Sequence, residues 1–211
     1  MVQQRLLEIA IREFGTKGLE GASTRGIAAA AGTAMSSITY HYGGKEGLYI
    51  AAADYISAQL ADLDSGLTVA PGSMTEDPIV ARATIHEIMS RMVDKLASER
   101  SASWSLLIVR EQMDPTEAFD RLYAGPMGRV MEMLVQLVCV ATGVGDDAAA
   151  RITVLTLFGQ ALVMRTSRAA CLRLLHCDTI DAAVADQFRV RIAANIDAVL
   201  DRLISERQEL Q

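Results

Sequence analysis

The sequence predicts an all-α protein, and three observations support this fold class. Alanine, leucine, methionine and valine dominate the 51% of residues that are hydrophobic, and this composition favours helices. Four prolines are too few for a loop-rich β-protein of 211 residues, and no segment alternates cleanly between apolar and polar residues as strands do. Apolar residues instead recur every three or four positions along most of the chain, which is the helical period.

Charge is distributed unevenly between the first 50 residues and the rest. The net charge of -6 by itself opposes binding to nucleic acid. Residues 1–50 nevertheless carry five basic and four acidic side chains, a net charge of +1, so the remainder carries -7. A near-neutral N-terminal part, the head, can bind nucleic-acid phosphates locally while the acidic remainder, the body, stays away from the nucleic acid.

The cysteines and the apolar runs indicate the compartment. Three cysteines are an odd number, and the chain begins without the pattern of a secretory signal. We therefore expect reduced thiols and a cytoplasmic location. The longest apolar runs, such as Ile152 to Met164, are shorter than the roughly 20 residues that span a bilayer, so we expect no membrane segment.

The first predicted helix extends from Val2 to Lys17 and presents one apolar face. Gly15 and Gly18 close it, and we interpret it as a support for the segment that follows. The apolar face consists of Leu6, Leu7, Ala10, Ile11 and Phe14.

The second helix begins at Ser23 or Thr24, because either side chain offers an oxygen to the free amides at a helix start. Ile27 and Ala31 then lie at helical spacing. Gly32 follows, where a residue without a Cβ can adopt the left-handed conformation and turn the chain sharply. A short turn with glycine separates the two helices of a helix-turn-helix.

The third helix is predicted from Ala34 to Tyr42, with Ile38 as its one strong core residue. Its other side chains are hydroxyls and hydrogen-bonding rings, which suit base edges and phosphates in a major groove. We expect Thr33 to cap this helix, because Ala34 has no capping group. A capped helical hairpin that does not bind DNA is the alternative.

Gly43 and Gly44 end the third helix, and Lys45 begins a fourth that is predicted to continue to about Asp64. The ammonium of Lys45 and the amides at that helix start could hold one phosphate together. The predicted DNA-binding residues are Thr24, Arg25, Thr33, Met35, Ser36, Ser37, Thr39, Tyr40, His41 and Lys45.

Two stretches resemble a known family. F-G-T-K-G-L-E-G-A-S-T-R-x-I-A-x-x-A-G, followed by I-T-Y-H-Y-G-G-K-E-G-L-Y, resembles the N-terminal domain of the TetR family of transcriptional regulators. R-E-Q-M-D-P-T-E-A-F-D at 110–120 and L-F-G-Q-A-L at 157–162 resemble the C-terminal domain of its CecR-type subgroup. The resemblance implies a three-helix DNA-binding head at 1–46, a fourth helix that joins it to the body, and a helical-bundle body at 47–211 for ligand binding and dimerisation.

The body is predicted to be an antiparallel helical bundle. Residues 65–77 read as a loop, and Gly125 with Pro126 can kink the helix that begins near Thr116. The helix at 148–168 and the last helix, which contains Phe188 and Val199, carry more apolar surface than one partner each can cover. Their outer faces are expected to form a symmetric dimer interface, and a larger monomeric bundle is the alternative.

A small-molecule site is predicted in the body. Methionines and aromatic rings supply an adaptable apolar lining, although methionines at helical spacing also occur in cores. Arg110 and Glu111 lie within apolar runs and are expected to pair with each other or to contact a ligand. The predicted ligand-binding residues are Met89, Met92, Trp104, Leu107, Arg110, Glu111, Phe119, Met127, Met131, Phe158, Leu162 and Arg165.

No cofactor, metal site or enzymatic activity is predicted. Cys171, His176, Cys177 and Asp178 lack the second ligand pair of a structural zinc site. The sequence thus predicts a ligand-responsive regulator, a repressor that binds a palindromic operator as a homodimer and is released by a small apolar or amphipathic effector. The alternatives are a DNA-binding protein without a ligand, a helical interaction protein, and an enzyme that uses Cys171 and His176.

Overall fold

The computed structural model describes residues 2–61, 75–145 and 148–209. Within these ranges all regular structure is helical, as predicted. The helices are α1 (Val2–Gly21), α2 (Thr24–Ala31), α3 (Met35–Tyr42), α4 (Lys45–Leu60), α5 (Pro78–Ala97), α6 (Glu99–Met113), α7 (Glu117–Leu122), α8 (Gly128–Thr142), α9 (Ala148–Thr166), α10 (Arg168–Leu174) and α11 (Ala182–Glu209).

The chain divides into two compact units. The first unit contains Met1–Ala61 and Glu99–Gly128, and the second contains Asp62–Ser98 and Arg129–Gln211. The first unit therefore contains α6 and α7 in addition to the four N-terminal helices. The boundary predicted after residue 46, between a DNA-binding and a ligand-binding domain, stays a prediction. Most of the predicted loop at 65–77 lies outside the described residues.

The core of the first unit forms where α1 packs on α4 and α6 and where α4 packs on α7. Phe14 and Leu48 are fully buried there, as is Leu107 of α6. Each fully buried apolar side chain of this size stabilises a fold by about 1.5–3 kcal/mol. This packing gives the short helices α2 and α3 a rigid support, because α2 contacts α1 and α3 contacts α4.

The second unit is built around one apolar core to which α5, α8, α9 and α11 contribute. Polar bonds on the outside also join α5 to α11. Arg82 donates to Asp197 at 3.3 Å and to Asp201 at 2.5 Å, and His86 lies 2.9 Å from the same Asp197 carboxylate. The hydrogen bond from His86, followed by the charges of His86 and Arg82, holds the pKa of Asp197 below its usual value.

The predicted kink at Gly125 and Pro126 is confirmed. Residues Tyr123–Met127 form one wide π-helical turn between α7 and α8, and Gly125 has a non-helical ψ of -146°. Proline has no backbone N–H and its ring clashes with the preceding turn, so the α-helical hydrogen bonds cannot continue through it.

The helix α10 was not predicted. It has seven residues, and its backbone continues as a turn to His176, whose φ is +53°. So short a helix has no strong apolar period that would mark it in the sequence. The part of the chain that the structure describes contains no group of three or more potential ligands placed to hold a metal ion.

Two helical stretches of the described residues, Glu117–Thr142 and Ala148–Thr166, are long and apolar enough to cross a membrane by length and composition alone. The prediction of no membrane segment counted only uninterrupted apolar runs. Core helices of soluble proteins pass the same test, so one or two such helices are weak evidence. Both stretches contribute buried side chains to the core of the second unit, among them Leu134 and Leu157.

Candidate nucleic-acid interface

The turn between α2 and α3 forms as predicted. The Ser23 hydroxyl oxygen accepts a hydrogen bond from the Gly26 amide at 3.2 Å, so Ser23 caps α2. Gly32 is left-handed, with φ +70°. The amides of Gly32 and Thr33 bond back to carbonyls of α2, which satisfies groups that a helix end would otherwise leave open.

The helix α3 has one buried side and one exposed side. Ile38 is 1% exposed and anchors the helix, whereas Tyr40 is 85% exposed and Met35 is 48% exposed. The rings of Tyr40 and His41 meet edge to face with their centroids 5.0 Å apart. The exposed side also carries Ser36, Thr39 and His41.

The prediction that Thr33 caps α3 was wrong. Ala34 occupies the cap position, and no side chain bonds to the first amides of the helix. The Thr33 hydroxyl instead donates to the Ser37 hydroxyl at 3.2 Å, and both residues are half-buried. The amides at the start of α3 therefore have no side-chain cap, and such groups can bond to an anion or to water.

Lys45 lies at the junction of α3 and α4. Gly43 has φ +77° and Gly44 has φ +135°, so these two glycines take the chain from one helix to the next. The Lys45 ammonium donates to the Glu20 carbonyl at 2.9 Å in an exposed bond and thereby ties the start of α4 to the end of α1. An ammonium has three donors, so this bond is compatible with a phosphate contact.

The remaining residues of this surface lie at the start of α2 and the end of α3. Arg25 is exposed, whereas Thr24 is half-buried. Tyr42, which was not among the predicted residues, is half-buried beside His41, and burial raises the pKa of its phenol. The sequence could have indicated Tyr42 as a site residue, because it continues the aromatic run of Tyr40 and His41 just before Lys45.

The residues predicted to bind a ligand fall in both compact units. The first unit holds Trp104, Leu107, Arg110, Glu111, Phe119 and Met127. The second holds Met89, Met92, Met131, Phe158, Leu162 and Arg165. Met89 and Met92 are fully buried in the core of the second unit, and Met131 and Phe158 pack against it.

Arg110 and Glu111 do not bond to each other but to different partners. Glu111 is 1% exposed and accepts hydrogen bonds from Tyr49, Thr116 and Phe119. Arg110 is exposed and donates to the Thr16 carbonyl at 3.4 Å. An open cavity of about 700 Å³ in the first unit is lined in part by both residues, and Trp104 lines another of about 300 Å³.

Two family models match the chain. The model described as "Bacterial regulatory proteins, tetR family" matches residues 6–52. The model described as "HTH-type transcriptional dual regulator CecR, C-terminal domain" matches residues 81–203, more than half of the 211 residues.

Relatives agree with these models. The chain is 27% identical over 206 residues to the HTH-type transcriptional dual regulator CecR of Shigella flexneri, covering 95% of this chain and 92% of the relative. It is 37% identical over 78 residues to the HTH-type transcriptional repressor AcnR of Corynebacterium glutamicum, covering 36% of this chain and 42% of that protein.

Solved structures share the fold. SCO4454, a TetR-family transcriptional regulator from Streptomyces coelicolor, has a TM-score of 0.66 at 20% identity, with 96% of both chains covered. Mycobacterium smegmatis AmtR has a TM-score of 0.62 at 16% identity, with 97% of this chain and 92% of AmtR covered. The chain therefore belongs to the TetR family of transcriptional regulators, with a helix-turn-helix DNA-binding domain and a CecR-type C-terminal domain.

Proposed function

We propose that this regulator is a repressor that binds a palindromic operator as a homodimer and is released by a small apolar or amphipathic effector. The observation that carries the proposal is the surface of α3, where Tyr40 and its polar neighbours face outward around the buried anchor Ile38. A recognition helix of this kind reads base edges in the major groove.

The contacts in this proposal are divided between bases and phosphates. Tyr40, His41 and Thr39 on the exposed side of α3 read base edges. Lys45 and Arg25, at the starts of α4 and α2, bind phosphates that fix the register. The first 50 residues carry a net charge of only +1, so non-specific affinity is modest and the base contacts matter more.

The dimer would form through α9 and α11 of the second unit. Ile152 is 58% exposed and Leu155 is 61% exposed on α9, and Gly159 on the same side has open space around it. Ala194 and Ala198 are exposed on α11, where small side chains allow close approach of another helix. An isologous interface of two such helix pairs places two heads on a two-fold axis, which suits a palindromic site.

The proposed effector site lies in the second unit, where the partly buried Met131 and Phe158 pack against the core that contains Met89 and Met92; methionine side chains can repack around an apolar ligand. The effector favours an arrangement of the body that changes the spacing of the two heads, so it acts by population shift. Repression is proposed because AcnR is named a repressor. The name of CecR, a dual regulator, makes dual regulation the second candidate.

Footprinting tests this proposal directly. The full chain is placed on the DNA upstream of its own gene and of the neighbouring genes, at one fixed salt concentration. We expect a protected palindrome with half-sites one or more helical turns apart, and transcription that rises when the gene is deleted. Absence of any protected sequence would support a helical interaction protein instead, and loss of transcription on deletion would indicate activation.

A further inference from the structure

Two motifs of the chain meet in the first unit, although neither lies on the DNA-reading surface of α2 and α3. F-G-T-K-G at 14–18 belongs to the second half of α1. R-E-Q-M-D-P-T at 110–116 ends α6 and leads into α7. The helices α1 and α6 pack directly against each other, so residues of the two motifs can contact one another.

The glycines of the first motif allow α6 to approach α1 closely. A Cβ at Gly15 would lie 3.0 Å from the Leu106 Cβ and 3.2 Å from the Leu107 amide nitrogen. Gly18 has φ +74°, and a Cβ there would lie 3.1 Å from a guanidinium nitrogen of Arg110. A larger residue at Gly15 would therefore require the facing part of α6 to shift, whereas at Gly18 it would displace the Arg110 side chain and be strained by the positive φ.

Arg110 and Glu111, the first two residues of the second motif, hold different helices. Arg110 donates to the Thr16 carbonyl of α1 at 3.4 Å. Glu111 Oε1 accepts the Tyr49 hydroxyl of α4 at 2.5 Å. Adjacent residues at the end of α6 thus hold α1 and α4, the two helices that support the helix-turn-helix.

The other carboxylate oxygen of Glu111 fixes the start of α7. Glu111 Oε2 accepts the Thr116 amide and the Thr116 hydroxyl, each at 2.9 Å, and the Phe119 amide at 3.1 Å. A carboxylate at the start of a helix interacts favourably with its open amides. We call Glu111, Tyr49, Thr116 and Phe119 the Glu111 cluster. Both carboxylate oxygens of this buried side chain thus accept hydrogen bonds, one at Oε1 and three at Oε2, as a buried polar group requires.

Tyr49 connects this cluster to the rest of the head. Its ring meets Phe14 of α1 edge to face with centroids 4.9 Å apart, and only 3% of the residue is exposed. Burial, followed by the hydrogen bond to Glu111, raises the pKa of Tyr49. The hydroxyl therefore remains a donor throughout the physiological pH range.

We propose that Arg110 and Glu111 are positioning residues for DNA binding, which hold α1 and α4 in the arrangement that presents α3 to the duplex. The inference rests on the specific DNA binding described under Proposed function. Loss of either contact lets the supporting helices adopt other arrangements, which lowers the fraction of molecules able to bind.

The first test compares two tyrosines of α4. Tyr49→Phe removes only the hydroxyl that bonds to Glu111, whereas Tyr55→Phe removes a hydroxyl that bonds to exposed Glu8. Affinity for the footprinted wild-type DNA is measured at fixed salt, at a temperature where circular dichroism shows each variant folded. We expect at least about fivefold weaker binding for Tyr49→Phe, the lower end of typical coupling. We expect a smaller loss for Tyr55→Phe, because its bond from α4 to Glu8 of α1 is exposed to water, whereas the Tyr49 bond to Glu111 is buried.

The second test uses arginines of equal charge. Arg110→Met removes the donor to Thr16. Arg121→Met removes an exposed arginine that pairs with Glu117 on α7 and, at 3.8 Å, with exposed Asp54 on α4; exposed ion pairs of this kind contribute little to stability. Both substitutions change the net charge equally, so an effect of net charge alone on DNA affinity would be the same for both. We expect weaker binding for Arg110→Met alone. Because Arg110 is exposed, this variant folds even if Tyr49→Phe does not.

Hydrogen exchange adds a readout within the protein. If Arg110 and Glu111 hold α1 and α4 in place, the amides of these two helices should exchange faster in Tyr49→Phe and Arg110→Met than in the control variants. Folded Tyr49→Phe and Arg110→Met that bind DNA as tightly as wild type would overturn the inference and leave the proposed function intact. A wild-type protein that protects no DNA would overturn both.

Discussion

Tyr40 is the most exposed aromatic side chain of α3, at 85%, and nothing in the fold of the head requires it. A single exposed ring is common on protein surfaces, but this one lies on the helix-turn-helix surface among hydrogen-bonding side chains that can reach base edges. Its edge-to-face contact with His41 holds the ring beside the other donors of the helix. We therefore assign Tyr40 to the base-reading set.

We predict that Tyr40→Ala weakens operator binding by about 1–3 kcal/mol, the usual loss for one base-reading contact. The free energy of unfolding should remain unchanged, because the side chain makes little contact with the protein. Met113→Ala is the matched control, since Met113 is 83% exposed on α6. Equal affinity of the two variants in a fixed-salt titration would remove Tyr40 from the contact surface.

Tyr49 gives the stability of the protein a dependence on alkaline pH. Its pKa in the folded protein lies above the usual value of about 10. As the pH rises through about 10, Tyr49 loses its proton in the unfolded chain but keeps it in the folded protein. Stability is therefore fully present below about pH 10 and falls above it, by up to about 1.4 kcal/mol per pH unit.

Urea denaturation at about pH 8 and at about pH 11, on either side of the free tyrosine pKa, measures how the free energy of unfolding changes with pH. Tyr49→Phe should be less stable than wild type at the lower pH and should lose less stability on going to the higher pH. A slope that is the same in both proteins would show that the Tyr49 hydroxyl does not titrate as described. The half-buried Tyr42, whose pKa is also raised, acts in the same direction and remains in both proteins.

At the scale of elements, the turn that joins α2 to α3 depends on one backbone conformation. Gly32 has φ +70°, and no atom lies within 4 Å of the place where a Cβ would stand, so backbone strain and not crowding opposes a larger residue. Gly26, within α2, has helical backbone and an ordinary contact of 3.6 Å to the Ser23 Cβ. The same substitution should thus have opposite effects at these two glycines.

Gly32→Ala should lower the free energy of unfolding by about 1 kcal/mol, because an L-residue in the left-handed region is strained. Gly26→Ala should raise it by about 0.5–1 kcal/mol, since alanine is the better helix former. Thermal and urea denaturation measure both changes. If the two variants shift stability in the same direction, the turn geometry given for Gly32 is incorrect.

At the scale of the whole molecule, the outer faces of α9 and α11 are the proposed dimer interface. Phe188 and Val199, which were predicted to lie in the interface, are half-buried and pack against the core of their own second unit. Acidic substitutions there would also destabilise the protomer. Ile152 and Leu155 are the better positions, because more than half of each side chain is exposed.

We predict that Ile152→Glu converts the dimer to monomers, because it buries a charge in an apolar interface. Ile79→Glu on α5 is the control: Ile79 is 80% exposed and lies on another helix of the second unit. Sedimentation velocity should give a monomer for the first variant and a dimer for wild type and the control. A dimer that persists in Ile152→Glu would place the interface elsewhere.

The sequence by itself determined the elements of the DNA-reading head. Ser23 or Thr24 predicted the start of α2, and the structure shows that Ser23 is the cap. Gly32 and Gly43 predicted the two turns, and Ile38 predicted the buried side of α3. Each of these features depends on a local cause, either a side chain bonding to a nearby amide or a backbone angle that only glycine adopts readily. Such causes act within a few residues, so they can be recognised in a linear sequence.

Only the tertiary structure decided which partners the buried polar groups bind. Tyr49 and Glu111 are 62 positions apart, whereas the expected protein partner of Glu111 was its neighbour Arg110. Packing also placed α6 and α7 with the head and divided the predicted ligand-binding residues between two units. Helical periodicity shows which side of a helix is buried, but not which helix covers it. That choice depends on the close fit of distant surfaces, such as Gly15 against Leu106.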